Sequence, residues 1–253
     1  MNWTGLKTLL YREIKRFLGI PMQTVLPPLI SAVLYILVFG RFLGPRIQTI
    51  GGISYIDFIV PGLLMMNVTS GAFSNTSSSI YIGRFQNHIQ ELLVSPLSYF
   101  EIVLGYVISG AARGVIVGLG TYLIALFFTS ASINHFWAFL YFIIVTSLSF
   151  SAIGAIIGLW AKNFDQVNLP VTFILLPLNF LAGTFYSISM IPPALAKLSY
   201  FNPIFYMVNG IRASMIGVSD VSMGQAALVI AALTIIFTAW CVYLFKAGYN
   251  LRT

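Results

Sequence analysis

Phe136 to Trp160 reads FWAFLYFIIVTSLSFSAIGAIIGLW, an apolar run without a single charged side chain. A helix rising 1.5 Å per residue crosses the roughly 30 Å hydrocarbon core of a bilayer in about 20 residues, so this stretch is long enough to span. Working outward, five more stretches meet the same test: Met22 to Phe39, Tyr55 to Asn75, Ile102 to Phe128, Val167 to Phe185 and Gln225 to Phe245. None alternates apolar with polar residues as a lipid-facing barrel strand does, and helices satisfy their own backbone in lipid. The composition agrees: 58% hydrophobic and 8% charged residues, with a mean hydropathy of +0.92, exceed what a water-soluble core can hide. The fold class is therefore an all-α membrane protein with six transmembrane helices. No Gly-Lys dipeptide occurs, which excludes a P-loop, and the spans leave too little chain for a soluble catalytic domain.

Basic residues next to spans prefer the cytoplasmic side. With both termini inside, Lys7, Arg12, Lys15, Arg16, Arg84, Lys162, Lys246 and Arg252 lie on the cytoplasmic face, against Arg41, Arg46, Lys197 and Arg212 outside. The net charge of +7 then reflects orientation and contact with anionic lipid. It does not form the continuous basic face that nucleic acid requires. Before the first span, residues 1–20 read as an interfacial amphipathic helix. Trp3, Leu6, Leu10, Ile14 and Phe17 share one side, with Arg12, Lys15 and Arg16 across, toward lipid phosphates. Glu13 falls within the apolar arc, as an i,i+3 partner of Arg16 or, on a second reading, a contact to another protein.

Between the second and third spans, GRFQNHIQELLVSPLS at Gly83 to Ser98 spaces Phe85, Ile89, Leu92 and Leu93 for one helical face, with Arg84, Asn87, His88 and Glu91 elsewhere. Pro96 ends the helix. Such a helix rests on the membrane or fits a groove on a soluble partner, and periodicity does not choose. Between the fifth and sixth spans, Tyr186 to Gly224 is too apolar for a solvated loop. Asn202 and Pro203 open a helix there and Gly217 closes it. At about 21 Å that helix is too short to cross. Pro192 and Pro193 begin a shorter preceding piece, so the segment predicts a re-entrant hairpin at the outer face.

Polar groups inside spans need a reason. Arg113, about 18 Å in from Glu101, either lines a path and attracts an anionic head group or is tied to neighbouring carbonyls. Asn67, Ser70, Ser74 and Ser78 recur at intervals of three and four; hydrogen bonds between helices account for them, and a path lining is the alternative. Gly110, Gly114 and Gly118, like Gly154 and Gly158, read as close helix packing. Pro27, Pro28, Pro61, Pro170 and Pro177 predict bends.

No catalytic constellation emerges. His88 and His135 fall on opposite faces, Cys241 is the only cysteine, and no serine has a base at membrane depth, so neither a metal site nor catalytic residues are expected. Asp57 and Glu101 sit at opposite ends of their spans, which disfavours the carboxylate relay of an ATP-independent secondary transporter or channel.

ELLVSPLS at Glu91 to Ser98, FIVPGLLMMNV at Phe58 to Val68 and LAGTFYSISMIPPALAKLSYFNPIFYMVNGIR at Leu181 to Arg212 resemble, in order, the segments of ABC-2 type transporter permeases. The resemblance implies an exporter subunit of a bacterial inner membrane, acting as a homodimer, with ATP and magnesium bound by a separate ATPase subunit and no cofactor on this chain. It assigns Arg84, Phe85, His88, Glu91, Leu92, Leu93 and Pro96 to coupling with that ATPase. It also implies six spans over 21–253, with the coupling helix at 83–98 and the re-entrant hairpin at 186–224. Within such a subunit, the polar residues of the spans would set a path through Arg113, Asn67, Ser70 and Ser74, and the hairpin residues Asn202, Pro203, Tyr206 and Arg212 would form an outer gate or simply plug the dimer. The loop from Lys162 to Gln166 is either a second ATPase contact or an ordinary turn. Tyr186 and Ser187 stand where many polysaccharide permeases of the family carry a proline, so a polysaccharide substrate does not carry over directly.

Overall fold

The structure, a computed structural model, describes residues 2–47, 49–130 and 132–251; Arg252, counted above among the cytoplasmic charges, lies outside them. Among the described residues ten main helices follow one another, besides a 3₁₀ turn at Ile188–Met190: α1 Trp3–Leu18, α2 Pro21–Ile47, α3 Tyr55–Phe85, α4 His88–Val94, α5 Tyr99–Ala125, α6 Phe136–Trp160, α7 Phe164–Leu181, α8 Pro193–Tyr200, α9 Pro203–Ile216 and α10 Met223–Ala247. Six of them, α2, α3, α5, α6, α7 and α10, are long and apolar enough to cross a membrane. A two-residue hairpin, β1 Thr49–Ile50 and β2 Ile53–Ser54, precedes α3. Gly51 and Gly52 turn it with φ of 59° and 81°, which glycine adopts without steric cost.

The observed α6 matches the quoted stretch end to end. The second span continues beyond Asn75 to Phe85, because the polar stripe of serines packs as helix. The fifth occupies Phe164–Leu181 and stops short of Phe185. Prolines explain the interruptions. Pro27 and Pro28 start a fresh helical piece at Leu26 within α2, and Pro170, which has no N–H to give, introduces the π-wound turn Val171–Leu175 within α7. Pro61 sits inside a continuous helix.

Helix α3 forms the centre, packed against α5, α6 and α9; α10 lies on α6 and α9, α1 lies on α5, and α2 and α7 are peripheral. Close approach depends on the glycines. A Cβ at Gly114 would meet Ala72 and Ser147, and one at Gly158 would stand 2.7 Å from the Ser77 carbonyl, so the expected packing role holds at both.

Helix α1 packs through Leu6, Leu9, Glu13 and Phe17, all buried, while Trp3 is exposed. The inward face is thus rotated from the expected Trp3, Leu6, Leu10, Ile14 arc. The cause is Glu13, 3% exposed. It accepts from Arg12 Nη2 at 3.0 Å, from Arg16 Nε at 3.2 Å and from the Ser79 hydroxyl of α3. Arg16 does not reach outward for lipid phosphate. Its Nη2 donates to the Asn75 carbonyl and Oδ1, both at 3.2 Å. The i,i+3 pairing of Glu13 with Arg16 is present and extends into a bolt between α1 and α3.

Candidate functional site

At the end of the molecule that carries α1 and α4, the expected single helix over Gly83 to Ser98 is two pieces. Helix α3 runs to Phe85, Asn87 turns left-handed with φ of 62°, and α4 begins at His88. Asn is among the few residues that take this conformation readily. Phe85 consequently leaves the face shared by Ile89, Leu92 and Leu93. It belongs to an aromatic group with Tyr81 and Phe164, ring centroids 6.2 and 6.1 Å away. Ile89 anchors α4 in a core with Ile102, Phe245 and Leu251, and Leu92 and Leu93 lean half-buried on that core. The outward surface is Phe85 (69% exposed), Val94 (87%) and Phe164, with His88, Glu91 and Pro96 beside them. Exposed apolar side chains gathered among polar ones make this face a candidate interaction surface.

Arg84 is turned into the subunit. Its Nε donates to the Asn250 carbonyl at 2.7 Å, and its Nη1 to the carbonyls of Gly158, Leu159 and Ala161 at 3.0, 2.6 and 3.0 Å. These include the last carbonyls of α6, which have no partner within their own helix and carry the negative end of its dipole. Glu101 is a cap. Ser98 N and Oγ donate to its Oε2 at 2.7 and 2.8 Å, its own N–H donates back to Ser98 Oγ, and Asn2 N donates to Oε1. The capping box starts α5 and ties α1 to it. The turn from Lys162 to Gln166 is also capped: Lys162 N donates to Gln166 Oε1 at 2.8 Å and Gln166 N to Asn163 Oδ1 at 2.9 Å.

Mid-span, Arg113 reaches α2. Its Nε and Nη2 both donate to the Thr24 carbonyl, at 3.2 and 2.8 Å. In a continuous helix that carbonyl would accept from residue 28, but Pro28 has no N–H. Arg113 supplies the missing donor, which is the carbonyl-bound arrangement of its two readings. Arg113→Lys keeps the charge and loses the forked contact. It is expected to lower stability by about 1–3 kcal/mol, read as thermal melting in detergent. Melting like the wild type together with lost transport would restore Arg113 to the path.

Met66, Asn67, Ser70, Ser74 and Ser78 form a half-exposed line on the stretch of α3 from Phe58 to Tyr81, which is otherwise buried. Asn67 Nδ2 donates to Thr121 Oγ1 at 3.0 Å and to the Pro28 carbonyl at 3.3 Å. Ser78 bonds along its own helix, to the Ser74 carbonyl at 2.6 Å. Among the described residues only Asn67 of the stripe bonds to another helix, so interhelical bonding does not account for the serines.

At the opposite end, α8 and α9 form the predicted pair. Asn202 Oδ1 accepts from Ile204 N at 3.0 Å, with Pro203 next, and Gly217 closes α9 with φ of 75°. Asn202 Nδ2 also donates to the Leu178 carbonyl at 2.6 Å and Tyr206 Oη to the Tyr200 carbonyl at 3.0 Å. Arg212, counted above as an outer loop charge, is fully buried. It donates from Nη2 to the Gly183 carbonyl at 2.6 Å and lies 3.9 Å over the Phe58 ring, with Nε and Nη1 unpartnered among the described residues. Without Arg212 and Arg252 the charge asymmetry keeps its direction. Sequence reasoning missed the aromatic cluster beside this pair. Phe185 stands 4.6 Å from Phe39, 6.0 Å from Tyr35 and 5.3 Å from Phe180, and its carbonyl accepts from Tyr55 Oη at 3.2 Å. It joins the middle of α2 to the start of α3 and the end of α7. The density of aromatics around Tyr35 to Phe39 was its only signal.

The family model of the ABC-2 type transporter matches residues 4–216. The chain belongs to the ABC-2 type transporter family. It is 40% identical to the inner membrane transport permease YadH of Escherichia coli K12 over 254 aligned residues, which cover 100% of this chain and 99% of that one. It is 25% identical to nodulation protein J of Rhizobium leguminosarum bv. viciae, over 86% of this chain and 83% of that one. As an ABC-2 permease the chain has the architecture of a membrane subunit. Among the described residues no three His, Cys, Asp or Glu gather in a metal-binding group. Asp57, in the first turn of α3, accepts from the Ser130 hydroxyl at 3.4 Å, whereas Glu101 belongs to the cap that starts α5.

Proposed function

We propose that this chain is the permease subunit of an ATP-driven exporter in a bacterial inner membrane, with both termini cytoplasmic and two copies around a shared path. Each copy would rest on a separate ATPase subunit that binds ATP and magnesium. The observation that carries the reading is α4: a short helix anchored by Ile89, with His88, Glu91 and Val94 exposed on it and Phe85 exposed at the adjoining end of α3. A helix held this way moves with the core rather than alone, so closure of an ATPase pair would reach α3 through Arg84 and α5 through the cap at Ser98.

The half-exposed serine line on α3 supports a path along that helix, because polar hydroxyls left facing outward from a central helix need water, cargo or a second copy. The cluster of Tyr35, Phe39, Phe180 and Phe185 would close its outer end, with α8 and α9 dipping in behind. Asn202, Pro203, Tyr206 and Arg212 would then hold the gate's frame. The cargo is read as amphiphilic, lipid-linked or hydrophobic, in keeping with a path of hydroxyls and aromatics.

The test is capture of the tagged chain from its native membrane in detergent, with co-purifying ATPase quantified. Glu91→Arg with Val94→Asp changes two exposed positions and should leave melting unaltered. It is expected to abolish a near one-to-one ATPase yield. Retention of the ATPase by the double variant, or no ATPase with either form in membranes that express one, would overturn the coupling assignment.

A further inference from the structure

Two cavities at the α4 end have linings that adjoin along the chain. One is a groove of about 710 Å³ between α6, α7 and α10, walled by Ile157, Trp160, Phe173, Ile174, Trp240 and Leu244, with Tyr249 also lining it. Its volume lies within the roughly 300–1,000 Å³ of ligand pockets. The other, about 340 Å³, is a polar basin whose lining includes Arg84, Asn87, Gln90, Lys162 and Asn250. The chain passes directly from groove to basin twice, from Trp160 to Ala161 and Lys162, and from Tyr249 to Asn250. An apolar slot therefore opens beside a pocket carrying two cations and amide donors, with no carboxylate among its lining residues. Arg84 has committed Nε and Nη1 to carbonyls, whereas its Nη2 has no partner among the described residues.

We propose that this pair of cavities is a binding site for an anionic glycerophospholipid of the cytoplasmic leaflet. One acyl chain lies in the groove between Trp160 and Trp240, and the phosphate sits in the basin against Lys162 and Arg84 Nη2. The Asn87 amide N–H groups and the side-chain oxygens of Gln90 and Asn250, whose amide nitrogens donate to Asn87 Oδ1 and the Leu159 carbonyl, suit a hydroxylated head group such as glycerol. Charge complementarity decides the class of lipid: a zwitterionic head group would bring a third cation into a basin that already holds two. The lipid would join α6, α7 and α10 directly beneath α4, and the site does not depend on the ATPase reading.

Two of the four tryptophans line the groove, so it reports on its own occupant. With Trp3 and Trp137 replaced by phenylalanine, the full chain would be placed in nanodiscs of equal parts phosphatidylglycerol and phosphatidylcholine. Bromine would be carried on the acyl chains of one lipid at a time. Quenching is expected to report a preference for phosphatidylglycerol on the order of tenfold. Lys162 is exposed, and Lys162→Glu should fold and bring the preference close to one, with Lys162→Gln between. Equal quenching by both lipids in the parent protein, a preference untouched by Lys162→Glu, or no quenching by either lipid because another chain covers the groove would each overturn the proposal.

Discussion

Arg84→Gln is expected to destabilise the folded protein by about 3–5 kcal/mol, enough to deplete it from detergent extracts. The guanidinium donates to four carbonyls, three of them at the end of α6 and one at Asn250. A neutral amide cannot reach all four, so several part-buried acceptors lose a donor at once, Leu159 keeping only Asn250 Nδ2 at 3.2 Å. Arg84→Lys should recover part of the loss, since an ammonium still faces the α6 dipole without the planar fork. Melting followed by fluorescence-detected size exclusion measures both. The opposite result, normal melting with lost ATPase capture, would make Arg84 a docking contact, as the sequence suggested.

A comparable loss is expected for Gly110→Val. A Cβ there would fall onto Thr76 Oγ1 and Ser151 Oγ and lie 3.1 Å from the Ala72 carbonyl. Those two hydroxyls hydrogen-bond each other and join α3 to α6. Valine would both overpack the junction of α3, α5 and α6 and break that bond, a cost of about 3 kcal/mol or more. Gly120→Val is the matched control on the same helix: its Cβ would meet only the flexible end of Leu29, at 3.0 Å. If both variants fold equally well, the close approach at Gly110 does not limit stability.

The spans were legible wherever one physical signal acted alone. Phe136 to Trp160 has no charge, proline or internal cap to compete with its hydropathy, and its bounds follow directly. Asn202, Pro203 and Gly217 mark helix ends by local chemistry, and they do so in the fold. What sequence periodicity could not show was long-range pairing. Asn87 breaks a pattern that reads as continuous helix, because the left-handed turn is selected by packing Ile89 into the core rather than by its neighbours. Arg113 and Pro28 each carried half of a signal, a charge without a partner and a carbonyl deprived of its donor, on separate spans. On α1 the polar Glu13 looked like an exception to an apolar arc, yet it lies at the centre of the packed face.

The bond from Arg84 to the Asn250 carbonyl joins residues 166 positions apart. Helix α10 ends in a loop at Gly248, where Tyr249 N–H returns to the Leu244 carbonyl at 3.1 Å and Leu251 is folded into the core beneath α4. During synthesis, α4 leaves the ribosome long before those residues exist. Its seat cannot be finished until translation has passed Leu251. A polypeptide released early, even one holding five complete spans, would present α4 on an incomplete seat, so only chains translated through this loop would offer a firm surface for assembly.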